Sequence, residues 1–151
     1  ESDDVVNKKL KTALRNEFVP IVCIGERTRD DNFSEFIKEQ TWNTFVGLTS
    51  DEISRCIIAY EPVWAISTNP NAHPDTPDSA IKSVNMIRDA LNSKFKIQNS
   101  KFLYGGSITP ANARVFLSND EFGGVLVGGA SVNKEEFIKI LSIASKLLEL
   151  F

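Results

Sequence analysis

The sequence predicts an α/β domain built on a parallel four-stranded sheet, and three observations lead there. Four short apolar runs, at 20–24, 56–60, 101–104 and 124–127, each end directly before a glycine or a glutamate. Between them lie stretches whose apolar residues recur at helical spacing. The connections are short, which for alternating strands and helices implies parallel pairing with right-handed crossovers. Such a sheet stands open or forms half of an eight-stranded barrel, a fold that needs about 250 residues. The chain has 151 residues, enough for one domain over 1–151 with a core of its own.

The elements follow in order. Ser2 is positioned to cap a first helix, with Asp3 and Asp4 favourable at its positive end. Val5, Val6, Leu10, Ala13 and Leu14 give that helix an apolar stripe. The run from Pro20 to Ile24 reads as a strand buried on both faces. A second helix is predicted over 32–46, with Phe33, Phe36, Ile37 and Phe45 at helical spacing. Cys56 to Tyr60 reads as the second strand, and the Pro-, Asn- and Asp-rich segment from Ile66 to Pro77 as a loop. Thr76-Pro77 starts a helix, Thr as cap and Pro in its first position, with Ala80, Ile81, Val84, Ile87 and Leu91 inward. Lys101 to Tyr104 is the third strand, and Thr109-Pro110 opens a helix carrying Val115 and Phe116. Gly124 to Val127 is the fourth strand. Asn133 with Glu136 is the pattern of a capping box for a last helix lined by Phe137, Ile140, Leu141, Ala144, Leu147, Leu148 and Phe151.

Composition narrows the function. Seventeen Lys plus Arg against twenty Asp plus Glu leave a net charge of −3, so no basic nucleic-acid surface is indicated. No apolar run approaches a membrane span. Cys23 and Cys56 have neither metal nor redox spacing, and both are expected as buried free thiols in a reducing cytoplasm. The chain opens on Glu1 and its one methionine is Met86, which suggests processing or a piece of a longer product.

In a βα barrel, ligands bind beyond the carboxyl ends of the strands. Those ends carry Gly25-Glu26, Glu61 through Trp64, Gly105-Gly106-Ser107 and Gly128-Gly129. Six of the eight glycines fall within 105–129. Paired glycines let backbone N–H groups face a phosphate, or simply allow tight turns. Glu61, at a strand end and before an apolar segment, is the candidate general base; ion pairing with a Lys or Arg is the structural alternative. Residues 64–68 form an apolar loop suited to a lid or to plain packing. Trp42 is read as helix packing and His73 as a solvated loop residue.

Four segments together resemble triosephosphate isomerase: Pro-Ile-Val-Cys-Ile-Gly-Glu (20–26), Ala-Tyr-Glu-Pro-Val-Trp-Ala-Ile (59–66), Tyr-Gly-Gly-Ser (104–107) and Leu-Val-Gly-Gly-Ala-Ser (126–131). The opening Glu1-Ser2-Asp3 is similar to the family's segment after its fourth strand. The resemblance covers essentially the whole chain but only the C-terminal part of the family's fold. It implies the (β/α)4 half of a TIM barrel, strands five to eight, preceded by one helix. Glu61 is then the base that moves a proton between C1 and C2 of a triose phosphate. Pro62, Val63, Trp64, Ala65, Ile66, Ser67 and Thr68 are the lid. Ser67, Ser107, Gly128 and Gly129 are implied as N–H donors to phosphate, Tyr104 and Ser107 as latch partners of the lid, and Cys23 and Glu26 as support for the base. No metal or organic cofactor is implied.

Two departures set further expectations. The family's lid continues Ile-Gly-Thr-Gly-Lys, whereas this chain reads Ile66-Ser-Thr-Asn-Pro70 and runs longer to Pro77. The family's first four strands are absent, and with them a Lys, an Asn and the His electrophile, which His73 does not replace. Loss of one positioned donor costs about 10²–10³-fold and of acid–base groups about 10²–10⁴-fold, so the isolated chain is expected to be inactive. Exposed sheet edges are expected to make it pair with a complementing N-terminal half or with itself. The alternative is a non-catalytic half-barrel that binds phosphate or a partner chain.

Overall fold

The computed structural model describes residues 1–98 and 100–149. Its strands are β1 (Ile21–Ile24), β2 (Ile57–Tyr60), β3 (Lys101–Tyr104) and β4 (Gly124–Val125), and all pair in parallel in the order β1-β2-β3-β4. Its helices are α1 (Asp3–Arg15), α2 (Phe33–Phe45), α3 (Ser50–Ser54), α4 (Pro77–Phe95), α5 (Ala113–Leu117) and α6 (Lys134–Leu148), with one-turn 3₁₀ segments at Val63–Ala65 and Gly129–Val132. This is a half-barrel arrangement, consistent with four of the eight βα units of a TIM barrel.

The register places Val22, Ile58 and Phe102 on one level, and Ile24, Tyr60, Tyr104 and Val125 on the next. Side chains alternate along a strand, so these positions share the face that meets the helices. All but Val125 are buried, and they join Ile37, Phe45, Val84, Ile87 and Leu91 in the main core. Thr76 caps α4 by accepting the Ser79 N–H, with Pro77 behind it, as the sequence predicts.

The opposite face of the sheet corrects one expectation. β1 is buried on alternate residues only: Ile21 and Cys23 are exposed. A strand reads as continuously apolar when both faces are covered, and here the face toward the barrel interior has no opposite wall. Cys23 is therefore an exposed residue, not a buried one, although its sulfur is partly desolvated, whereas Cys56 is buried.

Other differences are local. α3 was not foreseen; Thr49 and Glu52 form a reciprocal capping box there. At α6 only half of the expected box exists, since Asn133 accepts the N–H groups of Glu135 and Glu136. Ser2 caps α1 by position without a side-chain bond. Regular helix α5 begins at Ala113 rather than at Thr109-Pro110, because Asn112 Oδ1 accepts the Thr109 N–H and holds 110–112 as a turn. β4 keeps two of its four expected residues, although the Leu126 N–H still reaches the Tyr104 carbonyl at 2.8 Å.

The fourth strand and α6 flank an open groove of about 540 Å³. Of the predicted inward face of α6 only Ile140 is buried; Leu141 and Leu148 are 52% and 77% exposed. Phe151 lies outside the described residues.

Candidate active site

The shared register brings Gly25, Glu61 and Gly105 to one level, directly beyond the strand ends. Glu61 is fixed by its own backbone: its N–H donates to the Ile24 carbonyl at 2.8 Å, and the Gly105 N–H donates to the Tyr60 carbonyl at 2.8 Å. A β-carbon on Gly25 would lie 2.0 Å from the Glu61 carbonyl oxygen, so only glycine admits this approach. The Gly25 N–H is held by Gln40 Oε1 at 3.0 Å.

Glu61 is half-buried and lines two cavities. One, of about 220 Å³, is walled by Ser67, Gly105, Gly106, Ser107, Gly128 and Gly129. The other, of about 460 Å³, contains Cys23, Gly25, Arg27 and Gln40. The Cys23 residue is exposed, yet desolvation of its thiol, and after that the Glu61 carboxylate beside it, push its pKa up to about 12. It therefore stays a neutral thiol beside the carboxylate at ordinary pH.

Pro62 is buried, and a 3₁₀ turn follows with Trp64 and Ala65 buried. Trp64 Nε1 donates to Glu26 Oε1 at 2.9 Å. The same oxygen accepts from the Tyr60 hydroxyl at 2.9 Å and from Arg29 Nε at 3.1 Å. Glu26 is 1% exposed, and its second oxygen has no hydrogen-bond partner among the described residues. Removing any of these donors would leave a buried carboxylate short of compensation.

Ser67 and Thr68 stand exposed at the loop tip. A β-carbon on Gly129 would sit 3.5 Å from the Ser67 hydroxyl, so the tip and the loop after β4 face each other. Among the described residues, the N–H groups of Ser67, Gly128 and Gly129 bond to no other part of the chain. The Ser107 N–H differs: it donates to the Ala65 carbonyl at 3.1 Å. Tyr104 is buried in the core, stacked on Phe116 at 3.9 Å between centroids, and makes no hydrogen bond to the lid segment.

The family model for triosephosphate isomerase matches residues 1–144. This chain belongs to the triosephosphate isomerase family. Relatives of that name include the enzyme of Onion yellows phytoplasma, 40% identical over 97% of this chain and 54% of its own length. That of Caldanaerobacter subterraneus subsp. tengcongensis is 37% identical over 94% of this chain and 58% of its own. That of Mycoplasmoides gallisepticum is 38% identical over 93% and 57%. The chain spans about half the length of these relatives.

Of the residues expected at the site, Cys23 lines one cavity with Glu61, and Ile66, Ser67, Thr68, Ser107, Gly128 and Gly129 line the other, whereas Glu26 is bonded to Trp64 and Tyr104 stacks on Phe116 in the core. Sequence reasoning missed Arg29, Gln40 and Asn112. Arg29 also donates to Tyr60 and Ser83, at 3.0 and 2.9 Å. Its place three residues after Glu26 was the one available signal. Asn112 Nδ2 donates to the Ser107 carbonyl at 2.9 Å; nothing local in sequence marks that contact. His73, read as a solvated loop residue, is exposed but stacks on Trp64 with centroids 4.6 Å apart.

No described helix is long and apolar enough to cross a membrane, and no described cluster of His, Cys, Asp and Glu would hold a metal.

Proposed function

We propose that this chain supplies the base, the lid and the phosphate loops of a triosephosphate isomerase, which interconverts glyceraldehyde 3-phosphate and dihydroxyacetone phosphate in cytoplasmic glycolysis and gluconeogenesis. The observation that carries the reading is that Glu61 walls the same small cavity as the unpaired N–H groups of Gly128 and Gly129. A carboxylate beside an anion cradle can take a proton from a carbon next to a phosphorylated one and return it to the neighbouring carbon. Backbone donors need no protonation change to hold the phosphate. Ser67 joins them from the lid, Ser107 after releasing Ala65, and Tyr104 with Ser107 latches the closed lid. Cys23 and Glu26 support Glu61 and Trp64, and no cofactor enters the reaction.

The cavity lacks a positioned cation and an electrophile for the carbonyl oxygen, so the isolated chain turns over little or nothing. Its partner is a complementing N-terminal half. A coupled isomerase assay, on this chain alone and on the full-length protein or reconstituted halves, tests the proposal. Turnover is expected only in the latter, with kcat reduced about 10²–10⁴-fold by Glu61→Gln. Undiminished turnover in Glu61→Gln would refute the assignment of the base. The uncovered groove beside α6 favours a second reading, a binding half-barrel without turnover; phosphate binding with no activity in the completed barrel would select it.

A further inference from the structure

Residues 69–75 return the chain from the lid tip to α4, and this limb ends at the half-buried Asp75 beside Ser79 and Arg29. Between it and the loop after β3 lies a cavity of about 560 Å³, lined by Pro70, His73, Ser107 and Asn112 among others. Among the described residues, the hydrogen bonds of 69–74 run only to 63–69 and within the limb. Asn69 Nδ2 donates to the Val63 carbonyl at 3.2 Å, the Asn69 N–H to Ile66 at 2.8 Å, and the His73 N–H to the Trp64 carbonyl at 3.3 Å. The His73 ring stacks on the Trp64 indole at 4.6 Å and 29°. Trp64 itself is 9% exposed and anchored to Glu26. Residues 69–73 are thus tied by their hydrogen bonds to the start of the lid.

We propose that His73 is a positioning residue of the lid: through its stack on Trp64 it clasps the two ends of the tip together, so that residues 63–73 respond to phosphate as one piece. The inference rests on the reading of 62–68 as a lid over a phosphate cradle. Its physical content is loop closure. Joining Trp64 to His73 restricts the eight residues between them, so less conformational entropy is lost when Ser67 meets an anion. The β-carbons of Ser67 and Asn69 act in the same direction, because each leaves the tip less backbone freedom than a glycine would.

The test is a titration of the protein carrying this segment with inorganic phosphate, followed by the indole N–H resonance of Trp64 and the backbone amides of Ser67 and His73. The variant Trp42→Phe removes the other indole signal. In the parent the three probes are expected to shift with one midpoint. His73→Ala is expected to raise that midpoint about 2- to 12-fold, the range of an aromatic stack, and to speed solvent exchange of the Trp64 indole N–H. His73→Phe, which keeps the stack, restores both. An unchanged midpoint in His73→Ala, failure of Phe to restore it, or separate midpoints for Ser67 and His73 would overturn the clasp. If phosphate shifts nothing in the parent, the cradle reading fails instead. The clasp is then judged on indole exchange alone, and identical exchange in His73→Ala and parent overturns it.

Discussion

Helices α4 and α6 carry equally plain apolar stripes, but the molecule treats them differently. Against β2 and α2, α4 buries Ala80, Ser83, Val84, Ile87, Ala90 and Leu91. Against α5 and the 3₁₀ turn at Gly129–Val132, α6 buries Ile140 and leaves Leu141 and Leu148 exposed beside an open groove. An apolar stripe states which face of a helix is to be covered. It does not state that the covering element lies within the same chain.

The largest expected effect sharpens that contrast. Leu91→Ala, at a fully buried position, is expected to cost about 2–5 kcal/mol in urea unfolding. Leu141→Ala on the open face is expected to stay within about 0.5 kcal/mol. Equal losses at the two sites would mean that the groove is covered in solution. If a complementing half is added, the Leu141 cost should grow while the Leu91 cost stays.

A smaller effect compares two glycines. Gly25→Ala drives a β-carbon to 2.0 Å from the Glu61 carbonyl, whereas at Gly123 the nearest atom, the Phe102 carbonyl oxygen, is 3.7 Å away. The first is expected to cost about 1–3 kcal/mol as overpacking and to disturb Glu61. The second is expected to be near neutral. Thermal melts of both variants decide this, and equal melting temperatures would contradict the close approach.

The smallest effect is a pH dependence. Desolvation by burial, the largest cause in each case, raises the thiol of Cys23 to about 12 and that of Cys56 to about 11, from a usual 9.0. Burial also raises the hydroxyls of Tyr60 and Tyr104. A group raised in the folded state contributes stability that is complete below its unfolded pKa and lost as pH climbs through the folded one. Urea midpoints should therefore hold to about pH 9 and fall toward pH 11–12. Cys56→Ala should flatten the fall more clearly than Cys23→Ala, because solvent screens the exposed site. A midpoint that rises above pH 9 would reverse the sign.

Most of the frame was legible in the sequence, for reasons visible at particular residues. Thr76-Pro77 marks a helix start by chemistry that needs no tertiary partner, and β3 matches its predicted span of Lys101 to Tyr104. What failed depended on distant elements. Ile21 and Cys23 read as buried because strand periodicity cannot report a missing wall. Residues 126–127 read as strand because the apolar run continues where the pairing stops. At the candidate site, Glu61 and the paired glycines stand out by their places after strands. Gln40, fifteen residues from the Gly25 it holds, carries no local mark, and neither does the stack of His73 on Trp64.

Helices bound this sheet on both flanks: α1 precedes β1 and α6 follows β4. In a closed barrel each gap between neighbouring strands takes one crossover helix. Two copies of these elements would bring an α6 and an α1 to each of two seams, and with α2 and α3 counted as one connection and the short α5 as another, ten helical connections for eight gaps. A second copy would therefore crowd those seams with surplus helices, and anything that covers this sheet from edge to edge meets α1 beside one edge and α6 beside the other.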